Sequence, residues 1–355
     1  MKRLFPIVTI LLVSILLAAQ PAAAAVSFPD VPKSNRFHAE IQYLVSKSII
    51  SGYPDGTFAP KKEVTRAEAA IFIGRLLNLD GTKRATQFKD VGKNLSASGY
   101  IASAAKESII NGYPDGSFKP DALISRGDMA AIVDRTFDLQ FTSQFLFSDV
   151  GQNMRAAIAI RKISAASITA GYPDGTFKPT GNVSREQFSA FLARGLSAEF
   201  KQRSAIADTF AHDKTKQYTY GGAAGDRLLT YVNSTLQISG SKLGFVWQEK
   251  DVKTGESQYF IEDESYQGFA TGLLQSDYYT ELLYPIETGK SWSYYQEKST
   301  YTAVHKTVAT PYKTFANAVE VTTSTGYKNY YVKGVGLVKV IDKNGDTVSV
   351  LKGIK

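Results

Sequence analysis

Residues 52–68 read GYPDGTFAPKKEVTRAE, residues 112–128 read GYPDGSFKPDALISRGD, and residues 171–187 read GYPDGTFKPTGNVSREQ. A sentence written three times implies one structural unit used three times. Each copy is preceded by Phe-x-Asp-Val, at 28–31, 88–91 and 147–150. In every copy 24 residues lead from that Phe to the turn glycine (Gly52, Gly112, Gly171), and 14 more lead to an arginine (Arg66, Arg126, Arg185). Between opening and turn, Phe37, Ile41, Leu44, Val45 and Ile49 mark one face of a helix. Tyr-Pro-Asp-Gly then makes a turn, with Pro presetting φ at its second position and Gly closing it. Phe58, Phe118 and Phe177 fold back on the helices, and Pro60, Pro120 and Pro179 end the extended piece.

A second helix starts at Thr65, Ser125 or Ser184, each an N-cap, with Glu68, Asp128 or Gln187 three residues on. The first and third are capping boxes, and the second uses the shorter Asp. Ala69, Ile71, Phe72 and Leu76, with Met129, Ile132, Val133 and Phe137 in the second copy, give this helix its apolar stripe. A unit this small cannot bury its own apolar face, so the three share one core.

The cap explains every polar residue of the helix start except the arginine. At the first helical position a cation faces the positive end of the helix dipole, which costs on the order of a few tenths of a kcal/mol. Two explanations stand side by side. The guanidinium pairs with a neighbouring repeat, through Asp30, Asp90 or Asp149 or through backbone carbonyls. Alternatively, guanidinium and free helix N–H groups together form a site for an anion such as a carboxylate.

These openings, turns and arginine motifs (VTRAE at 64–68, ISRGD at 124–128, VSREQ at 183–187) resemble S-layer homology (SLH) domains over residues 27–197. The resemblance implies a pseudo-threefold arrangement, with grooves between repeats that hold secondary cell-wall polysaccharide non-covalently, through a pyruvate ketal on a terminal sugar. Carried over by position, Arg66, Arg126 and Arg185 pair with the pyruvyl carboxylate, and Gly52, Gly112 and Gly171 let backbone approach the sugar. Asp30, Asp90 and Asp149 are structural under this reading. Tyr53, Tyr113 and Tyr172 either stack on sugar or pack. The early tryptophan of the family is absent, its place taken by Phe37, Tyr100 and a non-aromatic stretch at 154–158. Asp128 and Gln187 replace the glutamate of the motif, which makes the third groove the weakest expectation.

The rest of the chain sets the context. Lys2 and Arg3, an apolar run over 4–17 and small residues at 22–25 read as a secretory signal peptide over residues 1–25. No cysteine occurs among the 355 residues, which excludes disulfides and thiol lipidation. Residues 26–204 hold 23 Lys and Arg against 17 Asp and Glu, whereas residues 205–355 hold 16 of each. The basic surplus fits an acidic extracellular partner.

Beyond residue 197 the pattern changes. A polar, helical connector over 198–216 leads to a Tyr-, Thr-, Val- and Gly-rich region over 217–355 with short-range alternation. Strands are expected at 236–238, 244–248, 258–262, 291–296, 306–310, 318–322, 327–333, 337–341 and 347–351. Asn344-Gly345 signals a two-residue type I′ hairpin, and the Asp342–Asp346 spacing does not fit a calcium loop. Three histidines (His38, His212, His305) come without a zinc, nucleophile-elbow or phosphate-loop motif. The acidic run Glu262, Asp263, Glu264 reads as a solvated loop. PIETGKSW at 285–292 and YYVKGVGLV at 330–338 are weakly similar to β domains of exported lipoproteins and wall-associated proteins.

The expected fold is multidomain: an α-helical pseudo-trimer of repeats (26–83, 84–142, 143–197), then a mostly antiparallel β domain. The expected function is non-enzymatic anchoring to the wall of a Gram-positive cell, without metal, cofactor or nucleic acid, and without membrane contact once the leader is removed. A wall-anchored hydrolase and a structural S-layer subunit are the alternatives.

Overall fold

The computed structural model describes residues 27–143, 145–202, 209–232, 245–274 and 278–355. The expected leader and the strand expected at 236–238 lie outside these residues. Among them no helix is long and apolar enough to cross a membrane.

Each repeat contributes two helices: α1 (His38–Ser46) and α2 (Arg66–Leu76), α3 (Ser98–Lys106) and α4 (Arg126–Phe137), α5 (Ala157–Ala165) and α6 (Arg185–Leu196). The second helix of each repeat packs on the first helix of the next: α2 on α3, α4 on α5, and α6 back on α1. The ring is therefore closed. At its centre the three extended pieces meet edge to edge. Val64 N donates to Val183 O at 2.9 Å, Val183 N to Ile124 O at 3.1 Å, and Ile124 N to Val64 O at 2.9 Å. All three residues are fully buried, so each must find a backbone partner, and each finds it in another repeat.

Local chemistry explains the rest of the unit. The first helix stops before Ile49, because Ser48 takes φ 56° and starts a Schellman turn. Ile49 N bonds Leu44 O at 3.0 Å, and Ile109 and Ile168 repeat the bond to Ala104 and Ile163 at 2.9 Å. In each GYPDG turn the Asp accepts from the N–H and hydroxyl two residues on: Asp55 from Thr57, Asp115 from Ser117, Asp174 from Thr176. Asp30, Asp90 and Asp149 clamp the residue before each proline. Asp30 accepts from Phe58 N at 2.9 Å and Ala59 N at 2.7 Å, and Ala59 sits at φ 55°. The same pairs recur in the other copies. Phe58, Phe118 and Phe177 are fully buried, 5.2–5.5 Å from the opening rings of Phe28, Phe88 and Phe147. The buried face of α2 is Ala69, Ala70, Phe72 and Ile73 rather than the expected stripe through Ile71 and Leu76.

A five-residue helix α7 (Ala198–Gln202) follows. Of the expected connector, Phe210, Ala211 and His212 are core residues of the β domain rather than solvated spacer. The strands are β1 (Gln217–Gly221), β2 (Arg227–Val232), β3 (Phe245–Asp251), β4 (Ser257–Ser265), β5 (Gly268–Leu273) and β6 (Tyr278–Leu283), then β7 (Ser291–Tyr294), β8 (Glu297–Ala309), β9 (Thr314–Thr323), β10 (Lys328–Val332), β11 (Gly336–Ile341) and β12 (Thr347–Ile354). They form one antiparallel sheet in the order β6-β5-β4-β3-β2-β1-β12-β11-β10-β9-β8-β7. Four of these strands, β1, β2, β5 and β6, were not expected from the alternation. The β11–β12 turn also differs from the type I′ expectation. Only Gly345 has positive φ (92°), while Asp342 accepts from both Asn344 N and Asp346 N, so the loop is held by an Asp side chain and closed by a left-handed glycine.

The sheet curls until its edges, β6 and β7, almost meet, and side chains close the seam. The Tyr301 hydroxyl accepts from Leu283 N at 2.7 Å and donates to Leu283 O at 3.0 Å. Trp292 Nε1 donates to Thr280 O at 2.8 Å. Edge groups that would otherwise template aggregation are thus satisfied from within. The acidic run is not a solvated loop. Glu262 and Asp263 are buried on β4, on opposite faces of the strand. Glu262 pairs with His212, which reaches the Tyr220 hydroxyl at 2.8 Å, and Tyr220 donates to Leu337 O. Glu264 accepts from Phe210 N at 2.9 Å and from the Tyr284 hydroxyl at 2.5 Å. Asp263 faces the third repeat, where Phe145 and Ala165 pack on Val246, Ile261, Ala270 and Tyr278.

Two predictions follow from these contacts. Tyr301→Phe strips the seam of two bonds at a fully buried site and should lower stability by about 1–3 kcal/mol in denaturant unfolding; an unchanged midpoint would mean the seam is not closed in solution. Burial raises the Asp263 carboxyl to about 7, with the Ser143 hydroxyl opposing the shift and Glu264 adding to it. The folded chain therefore holds one more proton than the unfolded chain between about pH 4 and 7. Its contribution to stability is complete below that window and lost as pH rises through it. Asp263→Asn should reduce this fall, as seen by comparing thermal midpoints at pH 4 and pH 8, with burial of Glu264 and Glu281 supplying the remainder.

Candidate functional site

The structure brings the expected residues together between repeats, not within them. Arg66 stands beside Gly112 and Tyr113, Arg126 beside Gly171 and Tyr172, and Arg185 beside Gly52 and Tyr53. Each groove takes its arginine from one repeat and its turn from the next. The guanidinium carbons lie 4.7–4.9 Å from the tyrosine ring centroids and 4.6–4.7 Å from those of Phe118, Phe177 and Phe58. Such aromatic surroundings suit the planar, weakly hydrated guanidinium.

The helix N-terminus itself is not open to an anion. The first two N–H groups of each second helix already bond the neighbouring repeat: Arg66 N to Ala122 O, Ala67 N to Pro120 O, Arg126 N to Gly181 O, Gly127 N to Pro179 O, Arg185 N to Lys62 O, Glu186 N to Pro60 O. The third goes to the cap residue. The idea of free helix donors assisting the guanidinium is therefore corrected: those donors hold the ring together.

The arginine side chains share that work. Arg66 Nε donates to Phe118 O and Nη2 to Asn111 O, both at 2.7 Å. Arg185 Nε and Nη2 reach Phe58 O and Ser51 O, both at 2.8 Å. Arg126 Nε reaches Phe177 O at 2.8 Å, but its terminal nitrogens have no hydrogen-bond partner among the described residues. Charge-assisted bonds of about 1.5–3 kcal/mol each outweigh the few tenths lost to the dipole. All three side chains are at least nine-tenths buried, and burial pulls each guanidinium pKa down. Of the two readings of the arginine, pairing with carbonyls is realised. Asp30, Asp90 and Asp149 clamp backbone instead.

The turn glycines are needed for packing. A Cβ on Gly52, Gly112 or Gly171 would come within 2.2–2.4 Å of the opening Phe ring of its repeat. Tyr53, Tyr113 and Tyr172 are half-buried, each with one face on an arginine.

The grooves differ in charge. In the groove between repeats three and one, Glu68 lies 3.8 Å from Arg185 and accepts from the Tyr53 hydroxyl at 2.9 Å. In the next, Asp128 lies near Arg66 and pairs with Arg155 at 3.2 Å. Between repeats two and three the equivalent residue is Gln187, which caps its helix without charge. There a pocket of about 160 Å³ is lined by Arg36, Arg126, Gly171, Gln187, Arg194 and Tyr266, the last from the β domain. Sequence reasoning missed Arg36, Arg194 and Tyr266, because only the closed ring and the docked domain bring them together.

The β domain has a cavity of about 280 Å³, lined by Phe260, Phe269, Leu273, Tyr279, Glu281 and Leu337 among others. Its carboxylates are tied inward: Glu281 accepts from the Thr271 and Tyr331 hydroxyls, and Glu262 from His212. Among the described residues no group of His, Asp and Glu could hold a metal ion.

Because the arginines build the ring, Arg66→Gln should cost about 2–4 kcal/mol of stability in urea unfolding. Arg66→Lys should cost nearly as much, since one ammonium replaces a fork that reaches two carbonyls. Wild-type stability in both would remove the structural role.

The family model for the S-layer homology domain matches residues 27–70, 87–130 and 146–189, each span holding one opening Phe, one turn glycine and one groove arginine. The chain is similar to the S-layer protein EA1 of Bacillus anthracis (34% identical over 219 residues, 58% of this chain and 24% of that protein). It is also similar to the cellulosome-anchoring protein of Acetivibrio thermocellus (28% over 181 residues, 47% and 38%). An endoglucanase of a Bacillus species matches at 28% over 245 residues, 67% of this chain and 25% of the enzyme. The chain thus spans well under half the length of each relative. The three matched spans fall in register on the three members of the closed ring, and the chain carries three S-layer homology domains, followed by an antiparallel β domain.

Proposed function

We propose that this is an exported, non-enzymatic surface protein held to the bacterial cell wall by its repeats, with the β domain carried at the surface. The grooves bind secondary cell-wall polysaccharide, and the anionic group they read is the pyruvate ketal of a terminal sugar. One observation carries this reading: each groove pairs a buried guanidinium from one repeat with a half-exposed tyrosine from the next. A ketal carboxylate suits the guanidinium, and a sugar face suits the ring. The similarity to an anchoring protein and to an S-layer protein supports the same reading. The hydrolase alternative is less well supported, because Glu262, Glu264 and Glu281, the carboxylates at the interior of the β domain's barrel-like sheet, are engaged in internal hydrogen bonds.

The test is binding of the full chain to purified wall polymer before and after removal of its pyruvyl groups by mild acid. Saturable binding to the native polymer that falls at least tenfold after depyruvylation is expected. Equal binding to both polymers would refute the ketal as the recognised group. Arginine variants alone do not settle the matter, since loss of binding could follow from loss of the ring; their stability must be measured alongside.

A further inference from the structure

The groove between repeats two and three is unlike its pseudo-symmetric mates in three respects, and all three make it more receptive to an anion. First, Gln187 stands where Glu68 and Asp128 place a carboxylate, so Arg126 lacks the helix-start carboxylate that its mates face, and of the acidic residues Asp149 still acts on it. Second, the terminal nitrogens of Arg126 are uncommitted among the described residues, whereas Nη2 of Arg66 and of Arg185 is bonded to a carbonyl. Third, Arg194 lines the same pocket with a buried Nε that has no hydrogen-bond partner among the described residues. Its Nη1 donates to Ile168 O at 3.3 Å, and Nη2 lies 4.0 Å from Glu40. Burial lowers the Arg194 guanidinium to about 10; Glu40 opposes the shift, and Arg36 and Arg126 add to it. Three guanidinium groups thus line one pocket, with Glu40 acting on Arg194 and Asp149 on Arg126, an arrangement of excess positive charge that an incoming anion relieves.

The outer wall of this pocket is not part of the repeats. The β4–β5 turn reaches across to the third repeat, where Gln267 Nε2 donates to Gly175 O of the GYPDG turn at 3.1 Å. Val246, Ile261, Ala270 and Tyr278 pack on Phe145 and Ala165 beneath it. This docking sets Tyr266 into the lining of the pocket, with Tyr172 also in that lining.

We propose that the groove between repeats two and three is the principal site for the anionic wall sugar, that its carboxylate is held by Arg126 and Arg194, and that Tyr266 of the β domain supplies a wall against the sugar. The β domain is then part of the wall-binding surface and not only its cargo. This rests on the wall-glycan reading above.

The experiment uses the full chain and three polymers: pyruvylated, depyruvylated, and a phosphate-bearing wall polymer without pyruvate. Tyr266→Ala should weaken binding to the pyruvylated polymer about two- to tenfold, the range of an aromatic contact. Arg194→Gln should weaken it more, while Tyr295→Ala, on an exposed β-domain tyrosine, serves as control. Nitration of Tyr266 should slow when pyruvylated polymer is bound, a readout independent of any variant. If the wild-type chain binds the phosphate polymer equally well, the carboxylate is not the ligand group and the assignment falls. If it binds neither anionic polymer, the wall-glycan reading fails and takes this inference with it. If it binds the pyruvylated polymer but Tyr266→Ala binds as well as wild type and nitration is unaffected, the wall-glycan reading stands and the role of the β domain is refuted. Arg194→Gln is judged only if its unfolding midpoint is retained; Tyr266, half-buried on a turn, carries the test otherwise.

Discussion

Three backbone hydrogen bonds, from Val64 to Val183, from Val183 to Ile124 and from Ile124 to Val64, are the constraint on which the repeat half depends. Each donor is fully buried and has no partner within its own unit. An unpaired buried N–H costs about 1–3 kcal/mol, so a lone repeat would expose this edge or leave it unsatisfied. Closing the ring satisfies all three at once. The first two N–H groups of each second helix follow the same rule, bonding carbonyls of the neighbouring repeat instead of water. Three copies are therefore the smallest set that completes the hydrogen bonding.

Seen from that hub, the arginine is less paradoxical than the sequence makes it. A cation at the first turn of a helix is unfavourable only if nothing compensates. Here the compensation is a pair of carbonyls on the neighbouring turn, and the residue that opposes its own helix dipole belongs energetically to the next repeat. Its planarity allows two functions in one group: edge bonds to the carbonyls, and contact of its face with aromatic rings. Under the function proposed above, ligand and architecture draw on the same side chain, which is why a motif so constant in spacing could not be divided between them by reading alone.

What the sequence made legible was local or periodic. The caps Thr65, Ser125 and Ser184, the Asp-held turns and the 24- and 14-residue spacings each depend on residues close in the chain. Ser48 was missed as a helix stop because serine carries no mark of the left-handed conformation, which glycine would have announced. The acidic run looked solvated because its partners, His212 and Phe210, lie 50 or more positions away. Strands β5 and β6 escaped because the buried faces interleave Gly, Ala, Thr and Glu with the apolar residues, which blurs the alternation. The seam between β6 and β7 has no ladder to find, since Tyr301 and Trp292 replace it.

Departure from a repeat can be as informative as the repeat itself. The third position of each second helix must supply an acceptor for the cap, and Glu, Asp or Gln can all sit there. Only Gln does so without adding charge to the groove. Read as a motif, Gln187 makes the third copy the poorest match. Placed in the ring, it leaves Arg126 without the helix-start carboxylate that acts on Arg66 and Arg185, at the groove where Arg194 is buried with an Nε that has no hydrogen-bond partner among the described residues and where the β domain docks. The symmetry of the hub fixes where the grooves lie; the residue that breaks it sets how their charge differs.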